Sequence, residues 1–339
     1  MATPTMNRPT PERIFNALTA YQMSAALRAG IEVDVFSAIG EGATTPITIA
    51  QKTGASERGL RILCDYLTIL GFLTKEKGQY GLTQESELFL NKRSPAYMGS
   101  AAGFLMNERS AANFRGLTEA VCKGGTINAD GANMTPDDEF WVNFARSMAP
   151  LTGISANFIA DLSGAGQGKA MKVLDVAASH GMFGIAIAKK NPKAQIVALD
   201  WPNVLKAAVE NAAAAGVGDR LTLLPGSAFE VDLGTGYDCI LITNLFHHFD
   251  EAGCEKLMRR AYAALQPGGK VFTLEFVPNE DRISPPLAAA FSVIMLANTD
   301  AGDAYTLSQY EKMFQNAGFA KTTLYQVPDM PQQVLVSEK

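Results

Sequence analysis

The sequence predicts an α/β fold: a C-terminal sheet of seven strands behind a mainly helical N-terminal segment. Two observations carry this. From Met171 onward, short strand-like runs alternate with helix-like runs, which argues for a parallel sheet covered by helices on both faces. Before residue 96, apolar residues recur at helical spacing, and a pair of short strands closes the segment. The expected division is residues 1–95, a connector at 96–165, and a sheet domain at 166–339.

In chain order, Ile14, Leu18, Tyr21, Ala25 and Leu27 follow helical spacing. Ile31 to Phe36 comes next, then a Gly-rich break at Gly40 and Gly42. Thr48 to Gly54 reads as a short helix stopped by glycine. Ser56 caps a second helix with Leu60, Leu63, Leu67 and Leu70 on its apolar face, closed by Gly71. Phe72 to Lys75 and Gln79 to Thr83 flank a Lys-Gly-Gln turn. Helix, helix and hairpin make a winged-helix outline. The second helix carries two arginines against two acids, too little positive charge for a major-groove reader. A packing or dimerisation module fits better.

Residues 96–162 read as helices rich in aromatic and Met side chains, and Gly164 to Gly168 as a linker. Strands are expected at 171–177, 195–200, 221–225, 237–243, 270–277, 322–327 and 333–337. The last two are separated by a Pro-containing turn, which makes them antiparallel. The last interior helix opens on a capping box, Thr306 to Gln309, and stops at Gly318.

Composition narrows the function. The 339 residues are 47% apolar and 19% charged, ordinary for a soluble protein with a sizeable core. A net charge of −5 without a long basic run speaks against a nucleic-acid partner. No apolar run is long enough for a bilayer, so no membrane association is expected. Met1 to Arg8 lacks an apolar signal core, and the four cysteines form no CxxC. A cytoplasmic protein with free thiols is the expectation, with no metal.

In such folds ligands bind beyond the C-terminal ends of the strands. The first strand leads into Asp175-Val-Ala-Ala-Ser-His-Gly181. The second ends at Asp200, where a carboxylate can accept two ribose hydroxyls. The third leads to Gly226-Ser-Ala-Phe229, with Ser227 and Phe229 suited to a purine. The fourth leads to Thr243-Asn-Leu-Phe-His-His-Phe-Asp250, and the fifth ends at Glu275. The only histidines, His180, His247 and His248, all fall at these ends, where proton transfer near neutral pH would be useful.

The first turn fits two cofactor classes. A dinucleotide fold wants G-x-G-x-x-G and an acid further on; Gly181, Gly184 and Asp200 supply part of that. A methyl-donor fold wants an acid and three alternating glycines; Asp175, Ala177, Ser179 and Gly181 fit with two small replacements. A side chain in a left-handed position there costs roughly 1–2 kcal/mol. The turn by itself leaves both open.

Beyond the turn, the chain resembles the class I S-adenosylmethionine-dependent O-methyltransferases with an N-terminal winged-helix dimerisation domain, the family of plant caffeate-type and bacterial small-molecule enzymes. Met23 to Phe36 resembles the family's first helix, and Leu63 to Leu73 with Tyr80 to Thr83 its winged-helix half. Val173 to Gly181, Leu199-Asp200, Gly226 to Phe229, Leu245 to Asp250, Gln266 to Lys270 and Ala317 to Phe319 fall in the family's order. The resemblance covers nearly the whole chain and implies a Rossmann-like seven-stranded methyltransferase sheet.

It also implies roles. Asp175, Ala177, Ser179, Gly181, Asp200, Trp201, Ser227, Ala228, Phe229 and Asn244 would hold S-adenosylmethionine, with S-adenosylhomocysteine as product. His247 would be the general base and Glu275 the carboxylate beside it. Phe104, Asn107, Trp141, Met148, His248, Phe291 and Met295 are the candidates for the acceptor pocket, a lining that suits a flat apolar molecule. Two departures stand out: His248 replaces an acid, and Ala304, beside Asp303, stands where the family often has a second glutamate.

The expectation is a homodimer, paired through its N-terminal domain, that methylates a hydroxyl on an aromatic or polyketide-like small molecule. Alternatives are carbon or nitrogen methylation on the same scaffold, a nicotinamide-dependent oxidoreductase, and a winged-helix regulator that senses a metabolite.

Overall fold

The computed structural model describes residues 9–128 and 139–339; part of the segment read as helical at 96–162 lies outside these. Two compact units are present, one reaching to Met106 and the other running Asn107–Lys339.

In the N-terminal unit, helix α1 (Glu12–Glu32) turns Ile14, Phe15, Leu18 and Tyr21 outward, each 61–68% exposed. Its one buried residue is Gly30, where an added Cβ would stand 3.0 Å from Leu67 Cδ1. The stretch likened to a single first helix is in fact broken: Asp34 is left-handed (φ 66°), and α2 (Val35–Gly40) starts afresh after it. Helix α3 (Pro46–Thr53) starts two residues earlier than the expected Thr48. Thr45 Oγ1 accepts from Thr48 N at 3.2 Å and Pro46 occupies the first helical position, where its missing N–H costs nothing.

Helix α4 (Glu57–Ile69) is capped by Ser56 and buries Leu60, Cys64 and Leu67 at helical spacing. Strands β1 (Leu73–Glu76) and β2 (Gln79–Leu82) pair antiparallel across a turn at Lys77 and Gly78. Phe36, Ile49, Leu67 and Tyr80 form the core between helices and hairpin. Helices α5 (Gln84–Phe89) and α6 (Ala101–Leu105) complete the unit.

The second unit opens with α7 (Glu108–Arg115), α8 (Leu117–Lys123), α9 (Glu139–Met148) and α10 (Gly153–Leu162). Gly164 to Gly168 forms a tight turn with Ala165 fully buried. The rest alternates β3 (Met171–Val176), α11 (Met182–Lys190), β4 (Ala194–Asp200), α12 (Leu205–Ala214), β5 (Leu221–Pro225), β6 (Tyr237–Thr243), α13 (Glu251–Ala264), β7 (Leu265–Glu275), α14 (Pro286–Asn298), α15 (Leu307–Asn316), β8 (Lys321–Gln326) and β9 (Gln333–Glu338).

These seven strands form one sheet in the order β5-β4-β3-β6-β7-β9-β8. Pairs from β5 to β7 are parallel, and β9 runs antiparallel to both neighbours. The chain moves outward from β3 to β5 and returns to the other side of β3 at β6. The C-terminal ends of β3 and β6 therefore flank the crevice where such sheets bind ligands. Both faces are covered, so the central strands are continuously apolar: Val173, Leu174, Ile240, Leu241 and Ile242 are fully buried. No helix among the described residues is long and apolar enough to cross a membrane.

Candidate active site

The turn after β3 uses three left-handed residues in alternation: Ala177 (φ 54°), Ser179 (φ 53°) and Gly181 (φ 73°). The two non-glycine positions thus carry the backbone strain that their replacement of glycine implies. The turn is closed from both sides: Ala178 N donates to Leu199 O at 2.9 Å and Gly181 N to Ala178 O at 2.7 Å. Asp175 is 1% exposed; its Oδ2 accepts from Gly184 N at 3.1 Å, while Oδ1 is buried without a partner. Burial pushes its carboxyl up to about 8. Gly184 has to be small, since a Cβ would come within 2.7 Å of Ile196 Cγ2. Ser179 Oγ is a second buried oxygen with no partner.

Asp200, at the end of β4, stitches two loops. Its Oδ2 accepts from Ser179 N at 2.8 Å and its Oδ1 from Trp201 N at 2.7 Å. Burial raises its carboxyl to about 6, against the pull of these two N–H groups. Each oxygen keeps a lone pair for a further donor. Trp201 packs with Trp141, Val142, Val204 and Ala207, which joins α9 to the start of α12. After β5, Ser227 Oγ accepts from Phe229 N at 3.2 Å. Ala228 and Phe229 are half-buried, and the Phe229 ring meets Phe249 edge-on at 4.9 Å.

The end of β6 is the most constrained part. Asn244 is left-handed (φ 53°), donates its N–H to Leu274 O at 2.8 Å, and its Oδ1 accepts from Gln332 Nε2. The chain then makes a short 3-10 turn, Phe246–His248. Glu275, fully buried at the end of β7, holds this turn: Oε1 accepts from Leu245 N at 2.9 Å and Phe246 N at 2.8 Å. Its Oε2 lies 2.5 Å from His247 Nδ1. A carboxylate there fixes the imidazole tautomer with the proton on Nδ1, which leaves the Nε2 lone pair free.

Aromatic rings hold the same histidine. Phe291 meets His247 edge-on at 4.9 Å, and Phe276 stacks on Phe291 at 3.9 Å. His248 is tilted against His247 at 4.4 Å, and Trp141 meets His248 edge-on at 5.5 Å. From behind, Gly302 approaches so closely that a Cβ would fall 2.1 Å from His247 O. Met295 is buried on α14, four residues and so about one helical turn beyond Phe291.

The other named residues have different places. His180 is buried, not solvent-facing: its Nδ1 accepts from Met182 N at 3.1 Å, and burial alone pushes it down to about 4. It serves the start of α11. Asn107 caps α7, accepting from Ser110 N at 2.9 Å. Met148 ends α9, and Phe104 belongs to the N-terminal unit. Asp303 faces Arg282 at 3.0 Å, and Ala304 is fully buried, so neither supplies a second carboxylate to His247. Sequence reasoning missed Gln332, Phe276 and Gly302. The first two carry no local signal, and a glycine read among Asp, Ala and Tyr suggests only a bend.

Comparison with known proteins bears on this geometry. An O-methyltransferase domain model matches residues 125–320, and an O-methyltransferase dimerisation domain model matches residues 15–92. The chain is 27% identical to a 3-hydroxy-5-methyl-1-naphthoate 3-O-methyltransferase of Streptomyces sahachiroi, over 91% of this chain and 89% of that one. It is also 27% identical to an L-tyrosine C(3)-methyltransferase of Streptomyces lavendulae, over 90% and 85%. The crystal structure of a candidate O-methyltransferase from Nostoc punctiforme superposes with a TM-score of 0.94 at 47% identity, covering 98% of this chain and 100% of that one.

Proposed function

Because the chain belongs to the family of S-adenosylmethionine-dependent O-methyltransferases, we propose that it methylates a phenolic hydroxyl on an aromatic or polyketide-like small molecule, with His247 as general base. The observation that carries this reading is the buried pair formed by His247 Nδ1 and Glu275 Oε2 at 2.5 Å. An imidazole so held keeps the Nε2 lone pair for a proton.

The residues present fit the cofactor. Two buried oxygens without partners, Asp175 Oδ1 and Ser179 Oγ, belong to the turn after β3 and suit a ligand that brings hydrogen-bond donors. Asp200 keeps acceptor capacity for ribose hydroxyls, and Trp201, Ser227, Ala228, Phe229 and Asn244 complete the proposed cofactor set around the strand ends. When bound, S-adenosylmethionine supplies a methyl group on a positively charged sulfur, already open to attack.

The chain's own residues then have two tasks. Phe291, Met295, Trp141 and His248 orient a flat acceptor beside His247. His247 takes the hydroxyl proton at Nε2, worth about 10²- to 10⁴-fold in rate. Glu275 stabilises the imidazolium that results, and the N–H groups of Leu245 and Phe246 keep Glu275 in place. Alignment of the reacting atoms supplies further rate through orientation.

The dimerisation-domain match and the exposed stripe Ile14, Phe15, Leu18 and Tyr21 on α1 support a homodimer paired through the N-terminal unit. A second reading, transfer to carbon, is favoured by the similarity to the L-tyrosine C(3)-methyltransferase.

The test is calorimetric titration with S-adenosylhomocysteine and, separately, NAD, followed by mass spectrometry of phenols incubated with S-adenosylmethionine. Binding of the first ligand alone and methylation on oxygen are expected. Methylation on a ring carbon would favour the second reading, and NAD binding would contradict both.

A further inference from the structure

His247 has a neighbour whose polar atoms are unspent. The His248 ring lies 4.4 Å from the His247 ring, tilted by 47°, and is flanked on another side by Trp141 at 5.5 Å. Phe249 stands 6.5 Å away. Three rings thus hold this imidazole in place. Its backbone N–H is used, donating to Leu245 O at 3.2 Å. Its ring nitrogens are not: among the described residues neither has a hydrogen-bond partner, and neither is sealed in the interior. The contrast with His247 is plain, since that ring's Nδ1 is committed to Glu275.

The charged form of His248 is disfavoured, first by burial and then by the neighbouring His247. A neutral imidazole offers one N–H donor and one acceptor nitrogen. Among the described residues no carboxylate takes up either: Glu275 is occupied by His247 and the turn, and Asp303 by Arg282. A half-buried polar ring with unused hydrogen-bonding capacity, fixed beside the base, is suited to a ligand group.

We propose that His248 is a specificity-determining residue whose imidazole hydrogen-bonds a second oxygen, carried by the acceptor next to the hydroxyl that is methylated. This rests on the reading of His247 as the base. Two rings 4.4 Å apart face two substituents of one aromatic ring: His247 meets the reacting hydroxyl, and His248 meets the hydroxyl or carbonyl on the adjacent carbon. The preferred acceptors are therefore ortho-dioxygenated aromatics, and an acceptor with a lone hydroxyl leaves a polar ring unpaired in the pocket.

Catechol and phenol are the probes. The readout is the ratio of their kcat/KM values in the wild type, in His248→Phe, which keeps a ring but no polar atom, and in His248→Gln, which restores a donor and an acceptor. Comparing proteins cancels the intrinsic reactivity of the two probes. The expected wild-type ratio exceeds that of His248→Phe by about tenfold, one lost hydrogen bond, and His248→Gln recovers part of it. A structural role would lower both probes alike; an unchanged ratio overturns the proposal. If neither probe is methylated while S-adenosylhomocysteine binds, the reading of a simple phenolic acceptor fails on its own. Dissociation constants of the two probes, measured with S-adenosylhomocysteine bound, then decide about His248 by the same ratio. Equal affinities in wild type and His248→Phe, or no affinity for catechol, overturn it.

Discussion

Glu275 Oε2 lies 2.5 Å from His247 Nδ1, while Glu275 Oε1 takes the N–H groups of Leu245 and Phe246. One buried carboxylate therefore shapes the turn that carries the histidine and sets its tautomer. Glu275→Gln separates the two tasks. The amide oxygen still suits the two backbone donors, which turns the NH₂ group toward Nδ1. Nδ1 must then accept, and the proton moves to Nε2, where a base needs its lone pair. Expected are a fall in kcat of roughly 10²- to 10⁴-fold, little change in cofactor affinity by calorimetry, and a modest loss of Tm. Full activity in this variant would show that the tautomer does not matter.

Asp175 makes stability depend on pH. Burial pushes its carboxyl up to about 8, above the ordinary carboxylate range of an unfolded chain. The folded state then holds this proton more tightly than the unfolded state. The stabilisation is complete below that ordinary range and is lost as pH rises toward about 8. In Asp175→Asn this slope disappears. Without ligand, the variant gains Tm relative to wild type as pH goes from 5 to 8, as thermal unfolding at several pH values would show. Its affinity for S-adenosylhomocysteine falls, since Oδ1 is one of the unpartnered oxygens of the turn. Parallel curves for the two proteins would contradict the assignment.

Gly302 sets the distance between the 299–302 bend and the histidine turn. The Cβ of Gly302→Ala would meet His247 O at 2.1 Å, and a carbonyl of a pinned turn cannot swing aside as a flexible side chain would. Lower kcat and lower Tm are expected together. Wild-type kinetics in this variant would mean that the turn yields freely.

Ala177 pays for its left-handed backbone, roughly 1–2 kcal/mol, part of which Gly would return in chain entropy. Ala177→Gly is therefore expected to raise unfolding stability by up to about 1 kcal/mol in a urea titration. Clear destabilisation would mean that the Cβ packs usefully against the core.

Much of the fold is written locally. Strand and helix alternation gives the seven strands, the Pro-containing break gives the antiparallel end pair, and Ser56 and Thr306 mark helix starts. The direction of a side chain at a strand end is not written that way. His180 and His247 look equivalent in sequence, yet the first turns inward to a helix terminus and the second meets a carboxylate 28 residues later. Long-range partners are hidden for the same reason: Gln332 reaches Asn244 across 88 residues. Asn107, a candidate for the acceptor pocket, also caps a helix, a role that Ser110 three positions later does not announce. The helix break at Asp34 needed a left-handed aspartate, which tolerates that conformation but does not announce it.

Single-turnover methyl transfer to catechol by His247→Gln, at saturating S-adenosylmethionine, is the sharpest probe of the base. A rate roughly 10²- to 10⁴-fold below wild type, with S-adenosylhomocysteine affinity retained, is the result predicted for a histidine held by Glu275 to take the hydroxyl proton. Transfer at the wild-type rate would contradict it and leave the His247–Glu275 pair as a brace for the turn.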